Sequence, residues 1–363
     1  MLLVEATSQY PRNDEASAIQ LKHGSIFVVW SRFHHLNRSE GDTQAFNPAT
    51  GLPGTALNSD NAPSDIAAVE SADGGNTWSA PRVVVPNSAG LNVMNPGLAR
   101  LSDGGLGMLY NFRESTQLAR RMFRRSDDEG QTWSEPVAVT QDGYQTGCND
   151  RLTVLSSGRL LTALHITHDW HSHHLYTRVA RSDDHGMAWT LSAPIRLPRV
   201  EGSGESGAWE GDLAERADGS VLLVLRTAMG TLFRAESHDR GETWQRLRSL
   251  EVVSPVAPGI VRCIPGTDRL LLVWNWHYDA SEPMAGIRRP LACAVSADGG
   301  DSWPLRCRRI IENDPDYTYA YPSCTFINDE AWITYYVSST RDPFGARSLK
   351  LTRLPVKLLI EES

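Results

Sequence analysis

The sequence predicts an all-β protein, a six-bladed β-propeller of four-stranded antiparallel blades, and three observations lead there. One turn sequence recurs five times, its copies are almost evenly spaced, and the chain between them reads as short strands without a helical stripe of useful length. The copies are SADGGNTW (71–78), SDDEGQTW (126–133), SDDHGMAW (182–189), SHDRGETW (237–244) and SADGGDSW (296–303), which share the pattern S-x-D-x-G-x-[TSA]-W. Their closing tryptophans, Trp78, Trp133, Trp189, Trp244 and Trp303, lie 55, 56, 55 and 59 residues apart. A period near 56 with about four short strands per unit is that of a propeller blade. The 363 residues hold about 6.5 such periods, so six blades fit within a single domain over 1–363, the last without its turn sequence.

Each part of the unit has a physical reason. In the turn, the serine and aspartate side chains bond nearby backbone and close it locally. The glycine supplies the positive φ that a tight hairpin needs. The tryptophan is large enough to plug the gap between neighbouring units, and its N–H is expected to find a partner there. β-rich segments lead into the turns (SDIAAVE, RRMFRR, LYTRVAR), and others lie between them (GSIFVVWS, GRLLTALHI, GSVLLVLRT, DRLLLVWN). AWITYYVS and SLKLTRL supply strands to the last blade, which the N-terminal MLLVEA is placed to complete across the ring closure.

Composition bounds the function. Hydrophobic residues make up 40% and charged ones 21%, as in a globular protein with a sizeable core, and the formal net charge is -8. No global field attracts nucleic acid or an anionic membrane surface, so neither is expected as a partner. No apolar run approaches the roughly 18 residues of a membrane span. The opening MLLVEATSQYPRNDE has too short an apolar stretch for a signal peptide, so the expected compartment is the cytoplasm, or the exterior if a leader has been removed. Five scattered cysteines without CxxC spacing point to reduced thiols rather than to a disulfide framework or a zinc site. No phosphate loop, nucleophile elbow or dinucleotide fingerprint occurs in the right context, so neither cofactor nor metal is expected.

The recurring turn resembles the Asp-box, or bacterial neuraminidase repeat, and over essentially its whole length the chain is similar to the sialidase superfamily. That resemblance implies boxes on the blade periphery and chemistry in a central funnel. It also implies three arginines that clamp a sugar carboxylate, a tyrosine nucleophile activated by a glutamate, and an aspartate acid/base. Arg12, in YPRNDEASAIQLKHG, precedes the first strand, where the family carries its first clamp arginine. Asp60, opening DNAP ahead of the first box, matches the acid/base, with Asp65 as the alternate. In WEGDLAERADGSVLLVLRT, Glu210 and Arg226 stand sixteen residues apart, like the family's base and second arginine. Strand alternation there sets Leu222, Val224 and Arg226 on one face and Leu223 and Leu225 on the other. Arg288 in GIRRPLACAVS takes the place of the third arginine, with Arg289 as alternate; as twins on a strand, only one of them could face the funnel.

The stretch YTYAYPSCTFINDEAWITYY places Tyr321 on the nucleophile, with Tyr319 two residues earlier expected on the same face. One position departs from the family. The glutamate sixteen residues beyond the nucleophile, which orients the first arginine, is Val337 here, leaving the clamp short of one partner. The run HITHDWHSHH contributes His165, His168, His171, His173 and His174 to a hairpin loop, where they and Trp170 could meet sugar hydroxyls and ring faces. Arg113 in NFRES, and Asn149, Asp150 and Arg151 in QTGCNDRL, are further candidates for reaching a ligand. Trp274, Trp276 and His277 suit either sugar stacking or blade packing. The reading that follows is a retaining exo-glycosidase acting on a terminal sialic acid or related acidic sugar of a glycan. Two others stay open: a polysaccharide lyase or other carbohydrate-active propeller, and a non-catalytic glycan-binding one.

Overall fold

The computed structural model describes residues 1–34, 60–141, 143–167, 172–341 and 345–361. After β1 (Leu2–Val4), the chain forms a sheet of β2 (Arg12–Gln20), β3 (Ile26–Phe33), β4 (Ser64–Ser71) and β5 (Arg82–Val85). There follow β6 (Asn92–Arg100), β7 (Leu106–Arg113), β8 (Ala119–Ser126) and β9 (Val137–Ala138). Next come β10 (Tyr144–Thr146), β11 (Thr153–Val154), β12 (Leu160–Thr167), β13 (His174–Ser182), β14 (Thr190–Leu191) and the short β15 (Ser206–Gly207). Two further antiparallel sheets are β16 (Trp209–Glu215), β17 (Val221–Arg226), β18 (Thr231–Ser237) and β19 (Gln245–Val253), then β20 (Ile260–Cys263), β21 (Leu270–Asn275), β22 (Leu291–Ser296) and β23 (Arg308–Glu312). Last are β24 (Tyr317–Ile327), β25 (Glu330–Ser339) and β26 (Ser348–Pro355), with β1 pairing antiparallel to β26 as the fourth strand.

Among the described residues these strands make four four-stranded sheets and one of ten. Within the ten-stranded sheet, two antiparallel meanders meet through β10, which pairs with β8 in parallel at Tyr144 and Ala119 alone. The α-helix among the described residues is Val356–Ile360, and no helix there is long and apolar enough to cross a membrane.

The sheets are buried on both faces, which is why their middle strands read as continuous apolar runs. In β17, Leu222 and Val224 pack against Val261, Leu270, Leu272 and Trp274 of the next sheet. Leu223 and Leu225 pack the other way, on Leu161, Ala163 and Val179 of the preceding one. A corresponding cluster joins Val28, Trp30 and Ala67 of the first sheet to Ile327, Trp332 and Leu351 of the last.

The five recurring turns close by one scheme. In the first copy, Ser71 Oγ donates to Asp73 at 2.8 Å and accepts from the Gly75 N–H at 2.8 Å, while Asp73 accepts from the Thr77 N–H at 2.9 Å. The same bonds recur around Ser126 and Asp128, Ser182 and Asp184, Ser237 and Asp239, and Ser296 and Asp298. The glycine does more than admit a positive φ, since it is also where the neighbouring sheet approaches. A Cβ on Gly75 would lie 2.5 Å from the Trp332 ring. The counterparts Gly130, Gly186, Gly241 and Gly300 meet Phe27, Phe123, Leu161 and Leu222, each in the preceding unit. The expectation for the tryptophan N–H needs correction. Trp189 donates to Gly186 O at 2.9 Å, but Trp78, Trp133, Trp244 and Trp303 find no acceptor, so ring volume rather than hydrogen bonding accounts for the residue.

Candidate active site

The first strands of neighbouring sheets pack side by side, β2 against β6 and β24, and β16 against β20. Four of these strands carry a bulge near their start: the register shifts between Asp14 and Ser17, Met94 and Gly97, Trp209 and Asp212, and Ala320 and Ser323. Inside each bulge one residue takes a left-handed backbone: Glu15 (φ 58), Asn95 (φ 57), Glu210 (φ 45) and Tyr321 (φ 53). Such backbone costs a non-glycine residue about 1–2 kcal/mol, and a bulge re-aims its side chain. Glu210 and Tyr321 owe their meeting to this device.

The sixteen-residue separation of Glu210 and Arg226 becomes a contact through the β16–β17 hairpin, where Trp209 and Arg226 are paired across the ladder. Arg226 donates Nη1 to Glu210 Oε2 and Nη2 to Glu205 Oε2, the latter at 2.9 Å, and lies over the Trp209 ring. The Tyr321 hydroxyl donates to Glu210 Oε1 at 3.0 Å. Burial pushes the Tyr321 hydroxyl well above its ordinary pKa and the Glu210 charge adds to this, outweighing Arg226 and Arg288. Burial also pushes Glu210 upward, but Arg226 prevails and holds it below the usual carboxylate range. The pair is therefore a neutral phenol donating to an ionised carboxylate.

Arg288 donates to the Tyr336 hydroxyl at 3.0 Å and to Val256 O at 3.2 Å, with its guanidinium 5.5 Å from the Tyr321 ring centre. It sits in the loop before β22 rather than on a strand, so alternation does not choose between it and Arg289, which turns away to Pro315 O. Arg12 is 1% exposed and faces three carboxylates: Asp14 at 2.6 Å, Asp60 at 2.6 Å and Glu15 at 3.4 Å. Asp14 and Glu15 thus face this arginine although Val337 stands where the family has its glutamate. Asp14 also accepts from Arg347 at 2.7 Å, and Arg347 lies 4.6 Å from the ring centre of Tyr336, which stacks on Tyr321. Arg12, Arg288 and Arg226 are in this way joined around Tyr321 by a continuous set of contacts.

Asp60 stands on the wall of this cluster, crowded by protein on several sides yet with 67% of its side-chain surface open to solvent. Crowding pushes its pKa up, but Arg12, then Arg113 and Arg347, bring it down to about 2. Arg113 anchors the Asp60 backbone rather than facing open space, since it donates to Asp60 O and, at 3.0 Å, to Asn61 Oδ1.

Other sequence candidates lie elsewhere. Asp65 is held by both arms of Arg32 at 3.0 and 2.9 Å and by His34 at 2.7 Å. Arg151 is buried, donating to Asn149 O and Gly259 O, each at 3.0 Å, and Asp150 ties β2, β20 and β24 together through Ser17, Arg262 and the Cys324 N–H. These residues brace the first strands from below. Tyr319 does not share a face with Tyr321, because the intervening bulge reverses the alternation and sends Tyr319 into the core beside Tyr335. Trp274 is core, donating to Val253 O at 3.0 Å, with Trp276 packed on it. His165, by contrast, lies beside the cluster: it contacts Thr146 at 2.7 Å and feels the charges of Glu210 and Arg226, while burial lowers its pKa to about 4. His168, Trp170 and His171 lie outside the described residues.

Sequence reasoning missed Asp14, Glu15, Glu205, Tyr336 and Arg347. A signal existed for Glu15 and Asn95: like Glu210, each stands nine residues before the positive-φ glycine of its hairpin (Gly24, Gly104, Gly219). Among the described residues, no three His, Cys, Asp or Glu side chains group as metal ligands, and all five cysteines are free thiols. A separate cavity of about 530 Å³, lined by Leu152, Leu213, Arg216, Arg262 and Cys263 among others, lies toward the far ends of the same first strands.

Comparison with known proteins bears on family and fold. The model of the BNR repeat-like domain matches residues 58–333. A sialidase of Paraclostridium sordellii is 26% identical over 216 residues, 51% of this chain and 50% of that protein. An anhydrosialidase of Macrobdella decora is 29% identical over 145 residues, 38% of this chain and 18% of the other. The chain thus spans half or less of these curated relatives. Among solved structures, a Dyadobacter fermentans protein of unknown function superposes with a TM-score of 0.73 at 18% identity, covering 98% of this chain and 97% of that one. A Streptococcus pneumoniae sialidase superposes with a TM-score of 0.71 at 13% identity, covering 98% and 70% respectively. These structural likenesses concern the fold; the repeat match places the protein in the BNR repeat-like family, and with its sialidase relatives in the sialidase superfamily.

Proposed function

We propose that this protein is a retaining exo-glycosidase of the sialidase type, releasing a terminal sialic acid or related acidic sugar from a glycan. The observation that carries the reading is the 3.0 Å hydrogen bond from the Tyr321 hydroxyl to Glu210, with Glu210 ion-paired to Arg226. In this mechanism the Tyr321 oxygen attacks the anomeric carbon while its proton passes to Glu210, and Asp60, after taking up a proton from solvent, gives it to the departing glycosidic oxygen. Water then attacks the glycosyl-tyrosine, losing a proton to Asp60, and the tyrosine recovers its proton from Glu210. A neutral nucleophile suits a substrate whose own carboxylate, held by Arg226, Arg288 and Arg12, would repel an anionic one. The same reading closes the sheets into a six-bladed ring, supported by the packing of the first sheet on the last and by β1 pairing with β26.

The test is turnover of a fluorogenic sialoside by the purified protein. Tyr321→Phe, which keeps the ring but removes the nucleophile, is expected to lower kcat at least about a thousandfold. An unsaturated product absorbing in the near ultraviolet would instead indicate a lyase, and no turnover across sialosides and other acidic sugars would sink the glycosidase reading.

A further inference from the structure

Both Arg12 and Arg226 are closed to solvent by carboxylates that are themselves open to it. Arg12 is 1% exposed, whereas Asp60 on its Nη1 is 67% exposed; Arg226 is 3% exposed, whereas Glu205 on its Nη2 is 30% exposed. An incoming carboxylate cannot touch either guanidinium without replacing one of these groups. Arg288 differs, since the groups it donates to, a phenol and a backbone carbonyl, are both neutral.

Replacement at Arg12 needs no movement of the chain. The Asp60 backbone is fixed, its carbonyl accepting from Arg113 and from Asn92 Nδ2, the latter at 2.6 Å, while its carboxylate leans on Arg12 from the solvent side. Rotation about the side-chain bonds alone would vacate the seat. Glu205 likewise reaches Arg226 from the segment ahead of β15.

We propose that Asp60 and Glu205 are internal stand-ins for a ligand carboxylate, which exchanges with them on Arg12 and Arg226 and so makes the site selective for a ligand carrying that group. The inference rests on the acidic-sugar reading above and deepens it. Arg12 keeps Asp14 and Arg226 keeps Glu210, but a neutral ligand group does not replace the charge of the displaced stand-in, whereas a carboxylate does. At Asp60 the exchange has a second effect. Arg12, the largest of the three arginine charges that hold its pKa near 2, is taken over by the ligand, so the freed carboxylate becomes better able to accept a proton from solvent and later to donate it.

The test measures the affinity of free N-acetylneuraminic acid, and of its methyl ester, for the wild type, Asp60→Ala and Glu205→Ala, each checked by circular dichroism for an intact fold. Removing a competing internal carboxylate is expected to tighten binding of the acid roughly threefold to tenfold in each variant. The ester should gain nothing. Unchanged or weaker binding of the acid overturns the assignment of the residue concerned, and an equal gain for the ester shows that only steric room was made and overturns it as well. If the wild type turns over sialosides but neither variant gains affinity, this inference alone fails. If none of the three proteins binds the acid at millimolar concentration, the acidic-sugar reading falls with it.

Discussion

Glu15 has the same bulged backbone as Glu210 but a different electrostatic fate. Burial pushes its pKa up to about 8 and the Asp14 charge adds to this, while Arg12 and the Ser31 hydroxyl only partly oppose it. Glu210 shares Arg226 with one other carboxylate, Glu205, is lowered by Arg288 as well, and stays ionised; Glu15 shares Arg12 with two others, Asp14 and Asp60. A carboxyl whose folded pKa lies above its unfolded value of 4.5 holds a proton that the unfolded chain has released. Its contribution to stability is complete below pH 4.5 and is lost as the pH rises through about 8. Glu15→Gln, which stays neutral, should therefore gain stability relative to the wild type as the pH rises from 5 to 8 (urea unfolding at both pH values). A constant difference between the two proteins would mean that Glu15 is ionised throughout.

At the scale of elements, the serine, aspartate and glycine part of the recurring turn is legible because its bonds are local, while the tryptophan N–H expectation fails at four of five copies. Serine, aspartate and glycine within eight residues supply donors and acceptors to one another, so composition and spacing suffice. The bulges were not legible as bulges. Simple alternation put Tyr319 and Tyr321 on one face, and it failed there because two residues of β24 stand opposite one step of β25. The same rule held for Leu222 through Leu225, where the pairing with β18 is regular. A local turn also has a local cost of removal. Ser237→Ala deletes the acceptor of the buried Gly241 N–H and the donor to Asp239. It should destabilise the fold by about 1–3 kcal/mol in chemical unfolding while leaving ligand affinity unchanged, since the turn lies far along the strands from Tyr321.

For the whole molecule, the telling contact is between the first unit and the last. Each box glycine rests on the unit before it, and the first rests on Trp332, more than 250 residues later in the chain. Trp332 is buried among Val28, Trp30, Ala67 and Leu351, with Trp78 packed against the same cluster. Trp332→Ala should cost about 3–5 kcal/mol by leaving a cavity at that junction. In the closed ring proposed above this loss is shared, so calorimetry should show one transition at lower temperature rather than early melting of the end sheets alone.

By itself the sequence determined the repeating unit, the all-β class and the spacing that brings Glu210 to Arg226, because strand alternation, turn chemistry and hairpin pairing all act over short stretches of chain. Only the tertiary structure decided which charges face one another. That Arg12 meets Asp14, Glu15 and Asp60, that Glu205 caps Arg226, that Arg347 joins the cluster and that Arg151 is a brace all depend on side chains brought together from different sheets. Electrostatic fate follows distance in space, and in this fold residues tens to hundreds of positions apart share one small volume.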